Sequence, residues 1–180
     1  FVPGGGTKAI KTVASILAAK EEELPFVLLD SDDAGKNLAS SLRSGLYAAQ
    51  SDRVLTVGDL VGMSGAEIED LLPEALVAET FSRDYRGREE DFTDAVIRGA
   101  PLVGQMEAFA SKHGLDLPHG WKVDLAKAVK RRIQMNPTLL DGATDLHEKW
   151  KSMFHAILGE KLSAPINSVG MTRALPPSVV

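Results

Sequence analysis

The chain has 180 residues, 44% of them apolar and 25% charged, a balance that excludes wholesale disorder and supports one good core with room for a smaller appendage. With 20 Lys and Arg against 25 Asp and Glu, the net charge of −5 gives no global signature of nucleic-acid binding, although a local basic patch stays compatible with it. The absence of cysteine excludes disulfides and thiolate metal sites and fits a reducing, cytoplasmic setting. No apolar run approaches the ~20 residues that span a membrane, and the N-terminus does not read as a signal peptide. The sequence has no initiator methionine and opens on an apolar pair, so the expectation is a piece of a longer protein.

Phe1-Val2 reads as the end of a strand, followed by a Pro3-Gly4-Gly5-Gly6 turn. From Thr7 to Ala19 the residues Ile10, Val13, Ile16 and Leu17 recur at helical spacing, with lysines outside. Leu24-Pro25 breaks that helix, and Phe26 to Leu29 predicts a short buried strand. Leu38, Leu42 and Leu46 at i, i+4, i+8 predict a helix from Gly35 to Gln50, and Val54 to Val57 a third strand. Strands alternating with helices at this spacing imply crossover connections and a parallel sheet. Ser64 with Glu67 has capping-box spacing ahead of a short acidic helix start. Only helices are expected downstream: Glu74 to Phe81, Asp91 to Arg98, Leu102 to Lys112, Val123 to Ile133 and Asp145 to Leu158, with a break at Met135-Asn136-Pro137. The fold class is therefore α/β, a parallel sheet in residues 1–80 with a helical C-terminal extension in 81–160 and a tail in 161–180.

The strand from Phe26 stops at Asp30-Ser31-Asp32-Asp33, and charge is costly to bury, so these acids belong where the strand leaves the core. In open α/β sheets that end of a strand is where ligands bind. Alternation along an extended chain places Asp30 and Asp32 on one side, a pair that can share Mg²⁺, while Asp33 points elsewhere and suits capping of the next helix. The competing reading is a solvated turn whose acids only cap that helix. Glu67, Glu69 and Asp70 follow the next strand and fall near the same sheet edge; taken alone they read as an acidic first helical turn. The Gly4-Gly5-Gly6-Thr7 loop matches no nucleotide-binding fingerprint. Lys127, Lys130 and Arg131, within a run that also holds Lys122 and Arg132, form a basic helix face suited to a phosphate backbone or simply to solvent. His113, His119, His147 and His155 lack metal-ligand spacing, and no hydrolase triad is visible.

Taken in order, these residues resemble the Toprim domain of the OLD (overcoming lysogenization defect) family, ATPase-linked endonucleases. The matching segments are Phe1 to Gly4, Leu29-Asp30-Ser31-Asp32-Asp33-Ala34-Gly35, and Ile68-Glu69-Asp70-Leu71-Leu72, and the resemblance covers about the first eighty residues. It implies that Asp30, Asp32 and Glu69 coordinate Mg²⁺ or Mn²⁺ for phosphodiester cleavage of DNA. It also implies that Lys122, in Trp121-Lys122-Val123-Asp124, neutralises the scissile phosphate, with Lys127 as a rival. An N-terminal ATPase domain of the same polypeptide would be the partner, and homo-oligomerisation is compatible with it. The family's first motif carries Glu-Gly with an acid four residues after that Glu, where this chain has Pro3-Gly4 and Thr7. That departure keeps open a catalytically degenerate domain with a binding, oligomerisation or regulatory role. A phosphatase using Asp30 as nucleophile is disfavoured because Ala34 stands where haloacid-dehalogenase-like sites want Thr or Val.

Overall fold

In the computed structural model, which describes residues 7–19, 24–87, 89–141 and 143–158, the apolar run ahead of the acids is a three-residue strand, β1 (Val27–Leu29). It pairs in parallel with β2 (Val54–Thr56), Val27 opposite Val54 and Leu29 opposite Thr56. In both strands the outer two side chains are buried and the middle one is half-buried, the two-residue period of a pleated strand. The protein is thus mixed α/β and mostly helical, and among the described residues its sheet has two strands. The expected strand at Phe1-Val2, the glycine turn after it and the tail lie outside the described residues.

The helix α1 (Thr7–Ala18) buries Ala14 and lays Ile10 against the same core, while Ile16, expected inside, is exposed. The helix α2 (Asp33–Ser44) ends at Ser44 with Gly45 as its C-cap, six residues short of the expected Gln50. The chain turns there, so Leu46 faces out and Tyr47 takes the core position, its hydroxyl donating to the Pro25 carbonyl at 2.8 Å. Val57 is no longer strand: the Thr56 hydroxyl accepts from Asp59 N and caps a short helix, α3 (Val57–Val61), which closes at Gly62 with φ 76°. Ala14, Val27, Leu29, Leu38, Leu42, Tyr47 and Val54 make this first core.

A second core is aromatic. It gathers Phe81 of α4 (Glu74–Asp84), Phe92 of α5 (Phe92–Ala95), Met106 and Phe109 of α6 (Leu102–His113), and Trp121, Leu125 and Val129 of α7 (Trp121–Met135). Phe81 is its hub, edge-on to Phe92, Phe109 and Trp121 at centroid distances of 5.1, 6.4 and 5.9 Å. The helix expected through Arg98 stops at Ala95 because Val96 is already extended, and Ile97 N is taken by the Gln105 side chain at 2.7 Å. Arg132 clamps α7 to α4 through Thr80 Oγ1, the Leu76 carbonyl and Glu79, which removes it from the exposed basic run. After the break at a 3₁₀ turn (Pro137–Leu140), α8 (Thr144–Leu158) buries Met153 with Val57, Val61, Ala66 and Leu71. Its Trp150 donates to the Leu71 carbonyl at 2.7 Å, so α8 packs behind the loops that carry the acids.

Candidate functional site

Three stretches meet at the C-terminal ends of β1 and β2. The first is the turn from Asp30 to Gly35. Asp30 leaves the strand and accepts Ile68 N on Oδ1 at 3.0 Å, which ties the turn to the 3₁₀ segment Ile68–Leu71. Asp32, not Asp33, is the N-cap of α2: its Oδ1 accepts Gly35 N at 2.6 Å, and Asp33 is the first helical residue. The expected division of labour between these two acids is therefore corrected. The strand ends at Leu29, so strict alternation no longer governs Asp32, and the capping bond sets its side chain instead. Gly35 is required here, because a Cβ would lie 2.0 Å from the Asp30 carbonyl oxygen.

The second stretch carries Glu67, Glu69 and Asp70. Ser64 does not cap it; its hydroxyl accepts from Lys36 Nζ at 2.9 Å, and Glu67 N is bound instead by Asp70 Oδ2 at 2.8 Å. The other oxygen of Asp70 accepts Leu102 N at 2.9 Å, so this buried carboxylate joins the acidic turn to the start of α6 and is structural. Glu69 is buried, and its Oε2 has no hydrogen-bond partner among the described residues. An unpartnered buried carboxylate oxygen carries the full desolvation penalty, so it calls for a proton or an external ligand.

The third stretch is the start of α7. Lys122 Nζ reaches back across 55 residues of sequence to Glu67 Oε2 at 2.6 Å. Lys127, the rival lysine, pairs with Asp124 on the exposed side of the same helix. Lys130 and Arg131 are exposed beside it, so a basic face remains there, away from the acids' own lysine.

Electrostatics follow from this crowding. Burial pushes the Glu69 carboxyl upward, and the charges of Glu67 and Asp30 push it the same way. Burial also raises Glu67; Lys122 opposes that shift, but Asp30 and Asp32 add to it and the net direction is up. For Lys122 burial would lower the ammonium, yet the Glu67 hydrogen bond and the charges of Glu67 and Glu69 outweigh it, so Lys122 is held protonated. The two partners shift in the same direction because burial of Glu67, helped by the charges of Asp30 and Asp32, outweighs its ion pair with Lys122. Asp70 is raised chiefly by burial, against its two backbone hydrogen bonds.

Of the four residues expected at the site, Asp30, Glu69 and Lys122 share one electrostatic environment with Glu67, and Asp32 bears on it through Glu67. Among the described residues no group of three His, Asp or Glu side chains is arranged to hold a metal ion. Asp30 and Asp32 each give one oxygen to a backbone N–H, and Glu67 is taken by Lys122. No protein-family model, curated protein or solved structure matches this chain.

Two contributors were given no role by the sequence pattern. Glu67 was placed near the same sheet edge as one of three acids, but nothing in its spacing pointed to the pairing with Lys122. Ser31 is buried and accepts Gly58 N at 2.6 Å, joining the two strand ends. The four histidines stay apart: His113 lies on Phe109 and against Glu90, and His147 sits edge-on to Trp150.

Proposed function

We propose that this chain is a metal-dependent DNA endonuclease module of Toprim type, working within a larger ATPase-containing protein. The observation that carries this reading is the buried Glu69 Oε2, without a partner among the described residues, near Asp30, with a protonated Lys122 across Glu67. The donors are all hard carboxylate oxygens, the chemistry that Mg²⁺ and Mn²⁺ take, and Asp30, Asp32 and Glu69 would hold the ion. When bound, the ion supplies a Lewis acid and an activated water at a phosphodiester. Lys122 neutralises charge that develops on the scissile phosphate, and Glu67 positions it.

A catalytically degenerate domain with a binding or regulatory role is the second reading. Pro3 and Thr7 in place of the family's first acids favour it, as does the lack of a preformed acidic trio among the described residues.

Plasmid nicking in Mg²⁺ and in Mn²⁺ separates the two readings. The nuclease reading expects metal-dependent cleavage that falls about a hundredfold or more in both Asp30→Ala and Glu69→Ala. Absence of cleavage by the full-length protein, with Mn²⁺ still bound in calorimetry, supports the degenerate domain. If neither ion binds, the metal site is refuted.

A further inference from the structure

Beside the acids, and not used by them, a groove of about 770 Å³ opens between α2 and α3. Its lining is mixed: Ser31, Lys36, Ser40, Arg43, Thr56 and Ser64 contribute polar groups among Ala39, Ala48 and Met63. Three features give it a chemical sense. Lys36 spends one donor on Ser64 Oγ at 2.9 Å and makes no ion pair with a carboxylate among the described residues, although three aspartates precede it within six positions. Arg43 uses Nη2 on the Val54 carbonyl at 2.7 Å and on Asp59 at 3.1 Å, which fixes the guanidinium and neutralises the acid that lines the groove. Ser31 is buried in the wall and accepts Gly58 N, so its hydroxyl proton is not spent on any acceptor among the described residues.

The balance is two cations against one anion, beside the Ser31, Ser64 and Thr56 hydroxyls, whose oxygens accept from Gly58 N, Lys36 and Asp59 N and whose protons are left for a ligand. A neutral sugar would leave the Lys36 charge unanswered, and a cation would be repelled. We propose that this groove is a binding site for a phosphate ester, with Lys36 as its charged contact and the Ser31 and Ser64 hydroxyls completing the cradle. The phosphate belongs either to a small phosphorylated ligand such as a nucleotide or to the backbone of a nucleic-acid strand. Gly58 keeps the floor open: a Cβ there would meet Ser31 Oγ at 2.6 Å and the Met63 carbonyl at 2.7 Å.

The test is a binding measurement without divalent metal, in EDTA, so that it stands apart from the cleavage question. Inorganic phosphate, thymidine 5′-monophosphate and a twelve-residue oligothymidylate are titrated into the protein. The variants are Lys36→Gln and Ser40→Glu, both at exposed positions, with Lys151→Gln on α8 as a charge control. Lys36→Gln should weaken whichever phosphate probe binds by about tenfold, Ser40→Glu by at least as much, and Lys151→Gln not at all, with thermal melts unchanged. Tighter binding of the oligonucleotide, with a salt slope lowered by about 1 in Lys36→Gln, assigns the phosphate to a strand. Equal or tighter binding of the mononucleotide assigns it to a small ligand. The proposal is overturned if no probe binds the wild type, or if Lys36→Gln and Lys151→Gln bind alike. Neither result touches the nuclease reading, which the nicking assay decides by itself.

Discussion

Among the described residues, the two larger of three apolar clusters are built on opposite principles. The one around β1, β2 and α2 is small and made of Ala, Val and Leu with a single buried tyrosine, and its strands have three residues each. The one among α4, α6 and α7 is large and aromatic, with Phe81 touching four other rings. Asp30 and Asp32 emerge from the first region, Asp30 half-buried and Asp32 exposed, while Glu67, Glu69 and Asp70 lie between Ala66 and Leu71 of a third, smaller cluster, where Glu69 and Asp70 are buried. The second region supplies what the first lacks. Asp70 binds the start of α6, and Lys122 reaches the acids from the start of α7. A scaffold rich in apolar area can hold in place a neighbour that buries charge at a cost.

The sharpest way to break this comparison is Phe81→Ala. Removing a fully buried ring at the hub should cost ~3–5 kcal/mol in denaturant unfolding, a large share of a typical domain's stability. If the site depends on the aromatic core, any metal or phosphate binding is lost at the same denaturant concentration as the helical signal. Separate transitions would show that the two cores fold independently.

Gly35→Ala tests the small core at its tightest point. The added methyl meets the Asp30 carbonyl, so the turn must open at a cost of ~1–3 kcal/mol, and the Asp32 cap must loosen with it. A melting temperature equal to wild type would show that the acidic turn is not held as described.

Glu69→Gln gives the smallest effect on stability and the most specific one. Burial and neighbouring acids raise the Glu69 carboxyl. A carboxyl raised in the folded state contributes stability that is present below its unfolded pKa and is lost as pH rises through the folded one. Wild-type stability should therefore fall from acidic toward neutral pH more than that of Glu69→Gln, with both followed by thermal melts across that range. Mg²⁺ should recover part of that loss in the wild type and none in the variant. Parallel pH profiles for the two proteins would refute the assignment of an unpaired charge to Glu69.

How much of this was legible in the sequence follows the range of the interactions. The strand from Val27, its abrupt stop at the acids and the parallel pairing with Val54 to Thr56 were readable, because apolar runs and the cost of buried charge act locally. Helix ends were not. Gly45 turned the chain so that Tyr47 displaced Leu46 from the core, and Thr56 capped a helix where a strand was expected to continue. The N-cap role of Asp32 over Asp33 turned on a single hydrogen bond to Gly35 N. Such choices balance about 1 kcal/mol per cap and shift with small changes in approach.

The sequence by itself determined that acids would cluster where a short buried strand ends, since no other place lets three aspartates follow four apolar residues. Only the tertiary structure decided which acids are partnered and which are not. Asp70 was one of three acids in the Glu67 to Asp70 run, and packing turned it into a buried link to α6. Glu69 was left with an oxygen that has no partner among the described residues, and Lys122 pairs with Glu67 while Lys127 pairs with Asp124. A lysine one helical turn away differs little in sequence but faces solvent in the fold. The side of α7 that packs on the aromatic core sets which of the two meets the acids.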